Sequence, residues 1–218
     1  MPALVPAGVV VAEAVGPNPD GEGLLPEEAP LVANAVAKRR HEFTAGRSCA
    51  RRALRALGLP SGPILAGPNR EPLWPAGVAG SITHCAGYCA AAVGWRDAVG
   101  SIGIDAETHG PLPRGVEEMV CTPAEREWLR SAPAGIEWGM VVFSAKESVY
   151  KAWFPVAGRW LGFEEAELTI DPDRGEFAVR LASGPAAVLG PAAASLGGRF
   201  AVGDGIVGTC VVIPPPAP

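Results

Sequence analysis

Apolar residues crowd into Gly8–Val15, which reads as a first strand, and a Pro/Gly/acidic loop follows over Asn18–Pro30. From Leu31 the spacing changes to a helical period and holds to Leu57, where Gly58 and Pro60 supply a stop. Pro60–Pro75 is turn-rich, and Ser81–Thr83, Tyr88–Trp95 and Gly100–Glu107 then read as strands. A loop opens at Pro111–Pro113. Thr122 as N-cap, Pro123 as first helical residue and Glu125 two positions on start a helix over Pro123–Arg130. Phe143–Phe154 is helical, with Pro155 as its stop. Glu167–Ile170 and Phe177–Leu181 form one hairpin, Arg199–Val202 and Ile206–Ile213 a second, and Pro214–Pro218 is a tail. Short turns between adjacent strands favour antiparallel pairing, so the expected class is α+β rather than a doubly wound sheet. A helix followed by strands occurs once in each half, without an internal sequence repeat.

The chain has 218 residues, 48% hydrophobic and 19% charged, which excludes a disordered segment and allows a sizeable core. A net charge of -5 argues against a general nucleic-acid binder. The charge is uneven: Lys38–Arg55 holds seven basic residues and one acid, so a local anion site is expected in an otherwise acidic chain. Of 18 basic residues only Lys38, Lys146 and Lys151 are lysines. Five cysteines at irregular spacing fit reduced thiols in a cytoplasmic protein, and neither a secretory signal nor a bilayer-length apolar run is visible. Gly203–Gly208 matches a dinucleotide-binding string, but no helix and no distal acid follow it, so it reads as a hairpin turn.

Three constellations could carry chemistry. On a strand, Asp105 and Glu107 share one face, about 6.6 Å apart, opposite Ile102, Ile104 and Ala106. Two hard carboxylates at a strand end suit a magnesium ion that also holds phosphate oxygens; a polar outer face of an edge strand is the alternative. In the helix, Phe143, Tyr150 and Phe154 share a stripe with Glu147 in its middle, flanked by Lys146 and Lys151. A carboxylate facing the core implies a metal or a proton to move, unless the helix turns so that Glu147 pairs with Lys151. In the basic helix, Phe43, Ala50, Leu54 and Leu57 make the apolar face, and Arg40, Arg47, Arg51 and Arg55 adjoin it as a solvated stripe. Arg39 is in phase with the apolar face, where a guanidinium is expected to meet a buried anion, and Thr83–His84 can donate to phosphate at a strand end. Together these imply displacement at a phosphate ester or anhydride.

Gly103-Ile-Asp-Ala-Glu107, followed by Phe143-Ser-Ala-Lys-Glu-Ser-x-Tyr-Lys151, resembles the signature of 4′-phosphopantetheinyl transferases of the surfactin- and enterobactin-synthetase-activating type. Lys38–Phe43, Gly46–Ala50, Arg70–Pro75, Gly80–Tyr88 and Lys151–Pro155 look most like the actinobacterial branch, and the resemblance covers roughly residues 24 to 170. It implies two similar α/β halves about a pseudo-twofold, taken as 1–105 and 106–218, with coenzyme A between them. It also implies transfer of the phosphopantetheine arm of coenzyme A to a serine of an acyl, peptidyl or aryl carrier protein, releasing 3′,5′-ADP, without nucleic acid or membrane partners. Carried over, Asp105, Glu107 and Glu147 would hold magnesium, or manganese in its place. Glu147 would serve as base, and Lys151 would contact phosphate or balance the leaving group. Arg39, Arg47, Arg70, Thr83, His84, Asp105, Lys146 and Lys151 would bind coenzyme A, with Glu125 as a further carboxylate. The chain departs from some relatives in having no lysine in Ala66–Asn69, and in having Ala106 between the two acids. The alternative activity is a magnesium-dependent coenzyme A or nucleotide pyrophosphatase. Acidic carriers could also be steered by Arg40, Arg51 and Arg55.

Overall fold

The computed structural model describes residues 1–16 and 22–216, so residues 18–21 of the expected acidic loop and 217–218 of the tail lie outside it. Strand β1 (Val9–Val15) leads to helix α1 (Ala37–Ala56), then the hairpin β2 (Val78–Cys85) and β3 (Tyr88–Trp95). A short turn of helix, α2 (Arg96–Val99), feeds β4 (Ser101–Thr108). Helices α3 (Val116–Val120), α4 (Pro123–Leu129) and α5 (Trp138–Ala157) follow, then β5 (Ala166–Asp171), β6 (Glu176–Leu181), α6 (Ser183–Leu189), β7 (Gly197–Gly203) and β8 (Ile206–Ile213). One sheet is ordered β1-β3-β2 and the other β4-β8-β7-β6-β5, with every pairing antiparallel. The class is therefore α+β, as the short turns imply. β4 spans the expected half-boundary at residue 105 and belongs to the second sheet along its whole length.

Both long helices differ from their sequence expectation. α1 starts at Ala37 rather than Leu31, because a 3-10 turn at Ala29–Val32 and an extended Val36 intervene. The cause lies just upstream: the buried Glu28 accepts from Arg51, Ile64 N and Leu25 N, which fixes that segment as a separate turn. α5 begins at Trp138 and passes through Pro155 to Ala157. Pro155 removes one ladder bond, but Gly158, at φ 63°, donates to Phe154 O at 2.8 Å and closes the end. Helices α3 and α6 are too short to show a period in the sequence. α4 carries the expected capping box between Thr122 and Glu125. The Gly203–Gly208 string is a tight hairpin turn, with Asp204 and Gly205 both at positive φ.

α1 lays Cys49, Ala50, Ala53 and Leu54 on Ala12, Ala14, Cys89, Ala91 and Val93 of the small sheet. The other face of β3, Ala90 and Ala92, packs with Ile102, Ile104 and Ala106 of β4 to form the core between the two sheets. β2 and β4 run side by side there. Ser81 Oγ accepts Ile104 N at 3.1 Å and Thr83 Oγ1 accepts Ala106 N at 2.9 Å, so side-chain hydroxyls satisfy backbone donors that a ladder would otherwise pair.

The opposite face of β4 meets α5. Ser101 Oγ donates to Ala152 O at 2.7 Å, Gly103 lies under Ser148 O, and Ser144 Oγ donates to Asp105 Oδ2 at 2.8 Å. Four helical residues rise about 6 Å and two strand residues about 6.6 Å, so helix and strand stay in step over this stretch. All five cysteines are free thiols. No helix among the described residues is long and apolar enough to cross a membrane.

Candidate active site at the seam between the sheets

The C-terminal ends of β2 and β4 bring His84, Asp105 and Glu107 to one edge of the seam, and α5 brings Glu147 and Lys151 over it. Asp105 is buried and heavily engaged: Lys151 Nζ donates to Oδ1 at 2.6 Å, Thr83 Oγ1 to Oδ1 at 3.2 Å, and Ser144 Oγ to Oδ2 at 2.8 Å. Lys151 Nζ also donates to Ile104 O at 3.2 Å. Asp105 and Glu107 share a face opposite the buried Ile102, Ile104 and Ala106, so strand alternation reads correctly here.

Three carboxylates crowd this edge. Burial raises the Glu107 carboxyl to about 7, with the Asp105 and Glu147 charges adding to it and Lys151 opposing. Burial also raises Glu147, partly offset by Lys151 and reinforced by Asp105. Among the described residues no three His, Cys, Asp or Glu converge closely enough to hold a metal ion unaided. Glu147, Phe143, Tyr150 and Phe154 are all half-buried, so the stripe expected to face the core lies at its margin, with Phe143 beside Phe163 and with Tyr150 and Phe154 on a cleft wall. The buried face is formed by Val141, Val142, Ala145, Val149, Ala152 and Trp153. The Tyr150 ring lies beside Trp160 and Phe154, tilted to them by 50° and 48°, with ring centroids 4.6 and 5.9 Å away.

Two expected residues are turned elsewhere. Lys146 is buried, and its ammonium spends its three donors on Glu125 Oε2, Val120 O and Phe163 O, each at 2.8 Å. Glu125 is equally committed, accepting Thr122 N and Leu168 N at 2.7 Å. This pair ties α3, α4 and β5 to α5, and neither group is free for phosphate or metal. The sequence places Lys146 beside Glu147, but helical phase cannot say which neighbouring elements cover each flank.

On the other side of the seam, Arg39 is exposed rather than core-facing, and its Nη1 lies 3.0 Å from His84 Nε2. His84 is pushed below the usual imidazole range by burial first; Glu42 opposes that shift, and Arg39 and Lys151 add to it. Arg47 is buried, donates from Nε to Ile64 O at 2.7 Å, and is pulled down to about 10 by burial. The Thr83 hydroxyl is spent on Ala106 N and Asp105, so it positions the seam instead of offering a free donor. The expected solvated stripe is open only at Arg40 and Arg55. Arg51 is buried against Glu28 at 2.6 Å, and Arg55 pairs with Glu22 at 2.7 Å. Arg70 is exposed on the loop beside the seam with φ 68°, a left-handed position that favours glycine.

A cleft of about 780 Å³ runs from Lys151 between the Asn69–Pro75 loop and the end of α5, with Arg70, Trp74, Ser81, Tyr150 and Phe154 on its walls. A second, of about 490 Å³, lies beyond His84 between the start of α1 and the β2–β3 turn, with Lys38, His41 and Glu42 on its rim. The sequence reading missed Ser144 and Thr209, whose hydroxyls lie under Asp105, and Ser81, which holds Ile104 N beside it.

Comparison with known proteins bears on what this edge does. Residues 27–94 match the 4′-phosphopantetheinyl transferase N-terminal domain, and residues 101–191 match the 4′-phosphopantetheinyl transferase superfamily. The chain is 49% identical to 4′-phosphopantetheinyl transferase PptT of Mycobacterium tuberculosis, over 98% of this chain and 96% of that protein. It is also 49% identical to 4′-phosphopantetheinyl transferase Svp of Streptomyces mobaraensis, over 99% of this chain and 89% of that one. A more distant likeness, 41% identical over 59% of this chain and 61% of the relative, is to enterobactin synthase component D of Escherichia coli.

Proposed function

We propose a reaction from one premise: the chain belongs to the 4′-phosphopantetheinyl transferase superfamily. It transfers the 4′-phosphopantetheine arm of coenzyme A to a serine of an apo carrier protein. The serine oxygen bonds to the phosphorus bearing the pantetheine arm, the bond from that phosphorus to the bridging oxygen breaks, and 3′,5′-ADP leaves. The observation that carries this reading is the seam edge, where Lys151 lines a cleft large enough for a nucleotide-sized ligand and holds Asp105, whose charge acts on Glu107 and Glu147 nearby.

The donor set suits magnesium. Asp105, Glu107 and Glu147 are hard oxygen ligands, and their mutual repulsion is what a divalent cation relieves. Magnesium is held by one or two carboxylates plus substrate phosphates, which fits an edge where no three carboxylates converge unaided. Bound there, it would supply charge neutralisation on the pyrophosphate.

The chain's own residues do the rest. Glu147, raised by burial, is suited to take the serine proton on a carboxylate oxygen, a role worth roughly 10²–10⁴-fold. Lys151 holds its ammonium at the seam through Asp105 and Ile104 O, where it can meet phosphate charge. Arg39 and His84, linked at 3.0 Å, and Arg70 on the facing loop supply donors for the adenosine-side phosphates. Tyr150, with Phe154 and Trp160 beside it, gives the flank of α5 next to Glu147 an apolar surface. The reaction takes place in the cytoplasm, where coenzyme A and carrier proteins meet.

The test is intact-mass measurement of an apo carrier after incubation with coenzyme A and magnesium. A gain of about 340 Da, the mass of the attached arm, is expected. No gain across several carriers overturns the reading, and release of free phosphopantetheine without any carrier points to a pyrophosphatase instead.

A further inference from the structure

Resting on that reading of the site, we infer that Ser144 and Thr209 form a hydroxyl clamp that positions Asp105. Asp105 and Thr209 are directly paired across β4 and β8, so their side chains leave the sheet on the same face. Ser144 descends onto that face from α5. Its Oγ donates to Asp105 Oδ2 at 2.8 Å and lies 3.0 Å from Thr209 Oγ1, which donates to the Ser144 carbonyl at 2.9 Å. Ser144 and Thr209 are both fully buried. Three elements far apart in sequence thus meet in one closed contact beneath the site.

The hydrogen-bond count gives the clamp its purpose. A carboxylate offers about four acceptor positions. On Asp105, Lys151 and Thr83 take the two on Oδ1, and Ser144 takes one on Oδ2. The one position left for a ligand is on the oxygen that Ser144 holds. Ser144 therefore sets the direction of the open acceptor, and Thr209 fixes Ser144. Neither hydroxyl touches substrate, so both are positioning residues. The clamp also gives the C-terminal strand a part in the site.

The experiment compares wild type, Ser144→Ala, Thr209→Val and Thr209→Ser in the carrier-loading assay, with coenzyme A affinity from calorimetry and melting temperature from circular dichroism. Thr209→Val keeps the shape and loses the hydroxyl; Thr209→Ser keeps the hydroxyl and loses a methyl. Ser144→Ala and Thr209→Val are expected to lower kcat roughly 10- to 100-fold, with coenzyme A affinity within about threefold of wild type. Thr209→Ser is expected to retain kcat within about threefold even where it melts lower. The inference is overturned if Ser144→Ala and Thr209→Val keep wild-type kcat, or if Thr209→Ser loses as much as Thr209→Val. An active wild type with any of those results refutes the clamp only, whereas an inactive wild type refutes the transfer reading and the clamp with it.

Discussion

Gly103→Ala puts the packing of α5 on β4 to a sharp test. A Cβ built at Gly103 would lie 1.9 Å from Ser148 O, 2.6 Å from Ala152 N and 2.9 Å from Ser148 C, all of them helix backbone. Contacts under 3.0 Å are essentially never made by real Cβ atoms, so α5 must recede by about 1 Å. The bonds on either side, Ser101 Oγ to Ala152 O at 2.7 Å and Ser144 Oγ to Asp105 Oδ2 at 2.8 Å, then stretch out of range. Overpacking costs about 1–3 kcal/mol and each of the two lost hydrogen bonds about 1 kcal/mol, so destabilisation of about 3–5 kcal/mol is expected. For a chain of this length that is a fall in Tm of roughly 6–20 °C. A 1 Å displacement at the site can also cost about 10²-fold in rate, measured as holo-carrier formation well below the lowered Tm. Gly110→Ala, which meets nothing within 4 Å, is the control. A Gly103→Ala protein that melts within about 2 °C of wild type and keeps its rate would refute the close-packed seam.

Other perturbations separate structural from functional charge. Lys146→Met leaves Glu125 buried without its cation, and a loss of about 3–5 kcal/mol is expected in urea unfolding; a change under about 1 kcal/mol would mean the pair is solvated. Arg70→Gly relieves a left-handed backbone and should raise stability by about 1 kcal/mol while raising KM for coenzyme A, and an unchanged KM would remove Arg70 from the binding set. His84 is depressed below its unfolded value near 6.5, so the stability it contributes is present above that pH and is lost as pH falls through the lower folded value. Between pH 7 and 5, wild type should therefore lose more stability than His84→Gln, and parallel slopes would contradict this.

The α+β class and the facing of Asp105 and Glu107 were legible because strand alternation and short turns are local signals. The capping box at Thr122 was legible for the same reason. Glu147 and Lys151 were found by type and spacing, but not their surroundings. Of the stripe, Tyr150 and Phe154 line the cleft and Phe143 packs beside Phe163, and Lys151 reaches Asp105 on another element. Lys146 and Glu125 are 21 positions apart, Arg51 and Glu28 are 23, and Ser144 and Thr209 are 65. Such partners meet only through the tertiary fold, so buried ion pairs in α1 and α5 passed for solvated or ligand-facing charge. Pro155 misled in the same way, because a glycine cap three residues on sustains the helix.

The most direct measurement is the rate of holo-carrier formation by Asp105→Ala beside wild type, at saturating coenzyme A and magnesium. Asp105 is where Lys151, Thr83 and Ser144 converge, so removing its carboxylate should abolish transfer while leaving a folded protein. A folded Asp105→Ala protein that loads carriers at the wild-type rate would contradict the placement of the reaction at this seam.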